Sequence, residues 1–400
     1  MPRTLRTILM VALLFAAAPT WGGDILAIGE TFRLKAPTLG EDRLILLSLP
    51  LTYGTGRERY PVLYLLDGDA HFLHTRGTVE FLARNGLMPE VILVAIPSTH
   101  RTRDLSPTAE HFKNPDGTMG TVAGSGGGEA FLDFLEKTLV PHIEASYRTQ
   151  PFRILAGHSL GGLLALHAMA TRPHLFQGIV AASPALAWDH DQPLRLLDTF
   201  LLTRPNLRTT LFVSMANEEA GEPRPTRFER LRELLKGAKA GSGFSWEAKA
   251  FPDEDHGSVL LRSHYWGLRK VFEGWRPPVD PRTGQFPGGL KELKAHYERL
   301  AQRMGYPVPP PEGVVNTIGY QALARHNGGE ALAIFRHNAA LYPDSPNVHD
   351  SLGEVLEKEG HQAEAAACYA RAVELAEKAQ DARLPAYLRN RDRLAKGGKN

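Results

Sequence analysis

From Arg43 to Phe251 the chain alternates short apolar runs with segments of helical spacing. The runs are Leu44–Leu49, Val62–Leu66, Val91–Ile96, Ile154–Ala156, Ile179–Ala182, Thr210–Met215 and Phe244–Phe251. Several are continuous rather than alternating, which suits strands covered on both faces. Between them Ala70–Ala83, Glu129–Tyr147, Leu160–Thr171 and Arg224–Leu235 repeat apolar residues at helical spacing, and Val259–Phe272 follows the last run. Strand–helix alternation predicts an α/β fold, a mainly parallel sheet between two layers of helices. Arg43–Pro50 and Val62–Leu66 flank the turn-rich Gly54-Thr55-Gly56 and are expected to pair as an antiparallel start to that sheet.

The pattern changes after Trp275. Pro277, Pro278, Pro281 and Pro287 with Gly284, Gly288 and Gly289 read as a linker, and Pro307–Pro311 is a second break after one short helix. Beyond Glu312 only helical patterns remain. Gly319 recurs as Gly353, Glu330-Ala331 as Glu364-Ala365 and Phe335 as Tyr369, every offset being 34 residues. That is the tetratricopeptide period, one helix–turn–helix unit. Two units, 316–342 and 347–376, are fewer than usually stand alone, so they are expected to pack on the preceding domain or on a terminal helix, Leu384–Leu394. The resulting division is a signal peptide (1–22), an α/β domain (23–275), a Pro/Gly-rich linker with a short helix (276–311) and an all-α repeat tail (312–400).

Composition fits this picture: 43% hydrophobic and 22% charged residues describe a globular chain. A net charge of +2 leaves no basic footprint for nucleic acid. One cysteine, Cys368, excludes an intrachain disulfide and any multi-cysteine metal site. At the N-terminus, Arg3 and Arg6 precede an apolar run of eleven residues, Ile8–Ala18, followed by small residues and Pro19. The run is too short to span a bilayer and reads as an export signal cleaved near Gly22. The mature protein is expected to be periplasmic or extracellular, with no stable membrane anchor.

The strongest motif is Gly157-His158-Ser159-Leu160-Gly161-Gly162. It lies between a strand and a helix, the context of a nucleophile elbow, where Ser159 is presented at a tight turn and the Leu160 amide points at a developing oxyanion. A serine hydroxyl needs a base. Of 16 histidines, His256 follows the last strand and precedes a helix, where this architecture places it; His158 sits inside the elbow and is not expected to face its neighbour's oxygen. The acid belongs after the preceding strand, which ends in Asn217-Glu218-Glu219; Glu218 is nearer the strand end, with Glu219 the alternative. Asp253 and Asp255 lie too close to His256 in sequence. The turn Asp67-Gly68-Asp69 after Val62–Leu66 either offers the Asp69 amide as the second oxyanion donor or is simply a turn. Arg101 and Arg103 either bind an anionic substrate or pair with Asp104, and Trp188 lines either the substrate or the core. The glycines from Gly120 to Gly128 suggest a mobile loop and lack the lysine of a P-loop. No metal or cofactor motif appears.

Together, Tyr60-Pro61-Val62-Leu63-Tyr64-Leu65-Leu66-Asp67-Gly68, Arg101-Thr102-Arg103-Asp104, Gly157-His158-Ser159-Leu160-Gly161-Gly162 and Asp255-His256-Gly257-Ser258 resemble the putative-esterase branch of the α/β-hydrolases. That branch includes esterase D, the ferri-siderophore esterases and the antigen 85 mycolyltransferases. The resemblance covers about Gly29 to Trp275, and the repeat tail looks like an extension carried by some bacterial members. It implies a serine esterase with Ser159, His256 and Glu218 as triad and Leu160 and Asp69 as oxyanion donors, acting on a small-molecule ester without a cofactor. Acyl transfer to an alcohol uses the same residues. The rival is a non-catalytic scaffold whose helical repeats recruit a protein partner.

Overall fold

The computed structural model describes residues 26–397, apart from 55, 204–205, 220 and 239–242. The expected export signal and its cleavage site lie outside the described residues. Eight strands form one sheet: β1 (Glu30–Ala36), β2 (Glu41–Ser48), β3 (Tyr60–Leu66), β4 (Ile92–Ile96), β7 (Thr149–His158), β8 (Gly178–Ala182), β9 (Thr209–Ala216) and β10 (Phe244–Phe251). A small antiparallel hairpin, β5 (His111–Lys113) with β6 (Met119–Thr121), stands apart. The sheet order is β1-β2-β4-β3-β7-β8-β9-β10, parallel from β4 onward.

The sheet does begin antiparallel, but with other partners than expected. β2 pairs with β1 on one side and β4 on the other, not with β3. β1 is an edge strand in which exposed Thr31, Arg33 and Lys35 outweigh the inward Leu34 and Ala36, so no apolar run announces it. β3, buried along its whole length, sits near the middle. Its register with β7 shifts between Tyr60 and Val62, at Pro61, which has no N–H to give the ladder.

Helices cover both faces. One face carries α3 (Gly128–Phe134), α4 (Val140–Ser146), α5 (Leu160–Thr171), α6 (Trp188–Thr203) and α7 (Arg227–Lys236) over a core that includes Tyr64, Leu155, Phe131, Leu164 and Leu197. The short α2 (Arg101–Leu105) follows β4. A wider π turn, Leu135–Leu139, joins α3 to α4 just before Pro141, whose missing N–H interrupts the ladder. The other face carries α1 (Gly68–Arg84) and α8 (Val259–Val271).

The second core does not stop at the sheet. It runs through Phe272 into Leu293 and Tyr297 of α9 (Leu290–Met304) and on to the tail helices. Phe152 of β7 meets Phe272 at 5.7 Å and Tyr306 at 6.2 Å between ring centroids. The tail is two helical hairpins, α10 (Glu312–Ala324) with α11 (Gly328–Leu341) and α12 (Pro346–Lys358) with α13 (Gln362–Ala379), closed by α14 (Leu384–Gly397). The hairpins repeat one contact. A Cβ on Gly319 would lie 2.8 Å from the Phe335 ring, and one on Gly353 would lie 2.8 Å from the Tyr369 ring. Both glycines are therefore needed for helices to approach over a buried aromatic. Asn390 of α14 donates to both Asp350 oxygens at 2.9 and 3.1 Å, fastening the terminal helix.

Candidate active site

The site lies at the C-terminal ends of the parallel strands, where β3, β7, β9 and β10 each deliver one component. β7 ends at His158, and Ser159 turns the chain into α5 with φ 57° and ψ −117°, a strained conformation for a residue with a side chain. Gly157 makes the turn feasible: a Cβ there would lie 2.3 Å from the Gly161 carbonyl oxygen. Gly161 itself is less constrained, its nearest neighbour being 3.4 Å from an added Cβ. The Ser159 amide donates to the Ala182 carbonyl at 3.0 Å, and its carbonyl accepts from Leu163 at 2.9 Å, so the strained residue is held from both sides. The Leu160 amide opens α5, at the positive end of the helix.

Glu218, two residues beyond β9, places its Oε2 2.7 Å from His256 Nδ1. Glu219 turns the other way: its carboxylate accepts from the Phe228 amide at 3.0 Å, in the first turn of α7. Asp253 pairs with Arg262, and Asp255 accepts from the amides of Ser258 at 2.8 Å and Gly257 at 2.9 Å. Those bonds hold the Asp255 carboxyl below its ordinary range and shape the loop that carries His256. The acid and base loops are also tied directly, the Asn217 amide donating to the Glu254 carbonyl at 2.9 Å. His256 is set over the elbow, its ring centroid 4.5 Å from that of His158.

After β3, Asp67 adopts a left-handed conformation (φ 51°) and caps α1. Gly68 packs so closely that a Cβ would lie 2.7 Å from the Ile96 amide nitrogen. The Asp67 carboxylate accepts from Arg101 Nε at 2.9 Å, Arg101 Nη2 at 3.0 Å and Ser98 Oγ at 2.5 Å. Asp69 Oδ1 accepts the Ser98 amide at 3.1 Å. Arg101 Nη2 also reaches the His158 carbonyl at 3.4 Å, so one guanidinium links the turn after β3 to the elbow.

Arg103 has two carboxylate partners: Nε donates to Asp104 at 2.8 Å and Nη2 to Glu41 at 2.8 Å. Buried Arg43 completes this network, donating to Asp104 at 2.7 Å and Glu41 at 2.6 Å. Burial raises the Glu41 pKa, but its bonds to Arg103 and Arg43 outweigh this and leave the carboxyl below its usual range. Trp188 begins α6 and donates its indole N–H to the Thr108 carbonyl at 3.0 Å, fastening the base of the β5–β6 hairpin. Phe112 and Met119 of that hairpin are exposed. The glycine-rich segment after it is tied down rather than free, Gly126, Gly127 and Gly128 donating to Ser106 Oγ, the Arg103 carbonyl and the Ser106 carbonyl at 2.8, 3.0 and 2.9 Å. Among the described residues no cluster of three or more His, Cys, Asp or Glu side chains is arranged to hold a metal ion.

The family described as Putative esterase matches residues 36–254, more than half of the chain and every candidate triad and oxyanion residue except His256. The chain belongs to that family. It is 33% identical over 274 residues to the siderophore triacetylfusarinine C esterase of Aspergillus fumigatus, covering 59% of this chain and 90% of that one. With the ferri-bacillibactin esterase BesA of Bacillus subtilis the identity is 34% over 218 residues, 50% of this chain and 75% of the other. Among solved structures, an IroE-like serine hydrolase from Shewanella oneidensis aligns with a TM-score of 0.64 and 29% identity, over 77% of this chain and 99% of that one. This esterase is thus a carboxylic ester hydrolase on an α/β-hydrolase fold. Sequence reasoning missed the packing of His158 on His256 and the pairing of Arg101 with Asp67. Both join segments remote in sequence, and neither carries a local pattern.

Proposed function

We propose that Ser159 is the nucleophile of this esterase, His256 its general base and Glu218 the carboxylate that orients His256. Ser159 attacks the ester carbonyl carbon as His256 takes its proton. The alcohol leaves with that proton, and water, activated by the same imidazole, releases the acid and restores the serine. The Leu160 and Asp69 amides face the oxyanion. The observation that carries this reading is the 2.7 Å contact of Glu218 with His256 Nδ1 above a strained serine elbow. A carboxylate there fixes the tautomer with the proton on Nδ1 and leaves Nε2 to accept. Trp188 is the substrate-side residue of this proposal, Arg101 positions the Asp67 turn through its two bonds to that carboxylate, and Arg103 lies behind them.

The relatives' names point to the substrate class, a siderophore-type ester or lactone. We further propose that the chain is exported, with a mature N-terminus between Thr20 and Asp24, and that residues 312–400 are a tetratricopeptide-like unit that recruits a protein partner. The repeated Gly319–Phe335 and Gly353–Tyr369 contacts support that reading of the tail. Among the described residues no helix is long and apolar enough to cross a membrane. A hydrolysis panel of short-chain p-nitrophenyl esters, long-chain esters and catecholate trilactones tests the substrate class. Preference for the trilactones supports it, and preference for long acyl chains contradicts it.

A further inference from the structure

We propose that His158 is a positioning residue for the catalytic base, its buried ring forming the wall against which the His256 imidazole is set in its plane. The proposal rests on the reading of Ser159 and His256 as nucleophile and base. His256 is an exposed base, with 48% of its side chain accessible, and Glu218 grips it at one nitrogen only. One hydrogen bond leaves the ring free to swing about that bond. A contact on the ring face removes this freedom, and His158 supplies it: the centroids are 4.5 Å apart and the planes are tilted by 41°.

His158 suits the task. It is 9% exposed, and its Nε2 is buried with no hydrogen-bond partner among the described residues. The ring is also a hydrogen-bond partner of the His256 main chain, and its face serves as a surface with Nε2 unanchored. It is also the residue before Ser159, so wall and nucleophile are carried by the same rigid end of β7. The groups that face it are His256 from the loop after β10, His71 of α1 at 6.1 Å and edge-on, and Arg101 of α2, whose charge Asp67 meets. Behind His71, His74 lies with its Nε2 3.3 Å from His71 Nδ1 and stacks on His264 at 5.4 Å.

The wall must stay uncharged. His256 becomes a cation when it takes the serine proton, and a second cation in contact would oppose that step. Burial first, and the neighbouring His256 second, push His158 down to about 4, so it is neutral at pH 7. Burial likewise holds His71, His74 and His264 below the ordinary imidazole value, so the layer behind the wall is neutral too.

The test uses the full chain and p-nitrophenyl acetate, comparing His158→Ala, His158→Leu and His158→Phe for kcat and KM, each per folded molecule. Loss of the flat wall should lower kcat by about 10- to 100-fold in the Ala and Leu variants with little change in KM, as expected when the base is misaligned in the transition state. Phe restores a flat neutral ring and should recover most of kcat. A packing role alone would be rescued by Leu as well as by Phe. Wild-type kcat in the Leu variant, or Phe as impaired as Leu while folded, overturns the proposal. Ser159→Ala in the same series checks the underlying reading separately: turnover retained there removes the triad itself, whatever the His158 variants do.

Discussion

The Arg101 guanidinium grips both oxygens of the Asp67 carboxylate, Nε at 2.9 Å and Nη2 at 3.0 Å. Asp67 in turn holds a left-handed conformation two residues before the proposed oxyanion amide of Asp69. Replacing Arg101 by Met leaves that carboxylate with Ser98 as its remaining side-chain partner and frees the turn. The expected result is a fall in kcat/KM of about 10- to 100-fold on p-nitrophenyl acetate. That substrate is neutral, so the loss reports on positioning. A wild-type rate on the neutral ester with a selective loss on anionic esters would instead assign Arg101 to substrate binding.

Glu218 and Glu219 are adjacent and chemically identical, yet their partners differ. Glu218→Gln should lower kcat by about 10²- to 10⁴-fold, because the amide no longer stabilises the imidazolium and permits the wrong tautomer. Glu219→Gln should leave kcat within a few-fold and cost up to about 1 kcal/mol of stability, since it removes a charge from the first turn of α7. Steady-state kinetics and thermal unfolding of the two variants decide the matter. The reverse ranking moves the acid to Glu219.

This pair marks where the sequence stops being legible. The elbow can be read directly, because Gly157 and the strand–helix junction are local requirements of backbone geometry. Phe244–Phe251 can be read because apolar and polar residues alternate along it, Phe244, Trp246, Ala248 and Ala250 against Ser245, Glu247 and Lys249. Which glutamate meets His256 is decided by the path of the loop after β9, and nothing in Asn217-Glu218-Glu219 encodes that by itself. β1 escapes notice because an edge strand keeps polar residues on its open side. The contacts Arg101–Asp67 and His158–His256 join strand ends that only the sheet order makes neighbours.

Six partly or fully buried histidines give the fold a pH dependence of definite sign. Burial depresses His71, His74, His158, His264, His296 and His337 from the ordinary value of 6.5, His158 to about 4. Unfolding lets them take protons near pH 6.5, whereas the folded chain binds them only at lower pH. Stability is therefore full above about pH 6.5 and falls as the pH drops, each group steepening the fall by up to about 1.4 kcal/mol per unit. Ordinary carboxylates titrate mainly below pH 5, so the upper part of this window belongs to the histidines. Thermal unfolding should give a lower Tm at pH 5 than at pH 7.5 and a plateau above 7. Equal midpoints at pH 5 and 7.5 would contradict the burial of these rings.

The tail should be separable from chemistry but not from stability. Gly353→Ala drives a Cβ to 2.8 Å from the Tyr369 ring and should cost about 1–3 kcal/mol, with a similar effect for Gly319→Ala at Phe335. Turnover of p-nitrophenyl acetate per folded molecule should be unchanged in both. Truncation after Trp275 is a harsher change, because it uncovers Phe152 and Phe272, which now pack against Tyr306 and the tail. The truncated chain should keep its activity on small esters while its Tm and solubility fall. Collapse of that activity with an intact sheet by circular dichroism would make the tail part of the active site.

The most direct measurement is covalent labelling with a fluorophosphonate, followed by peptide mapping and turnover of p-nitrophenyl acetate by wild type and Ser159→Ala. One adduct is expected, on Ser159. In Ser159→Ala both labelling and turnover should be lost, turnover by several orders of magnitude, with the thermal transition retained. An adduct on another residue, or a Ser159→Ala variant that still turns over the ester at the wild-type rate, would contradict this assignment.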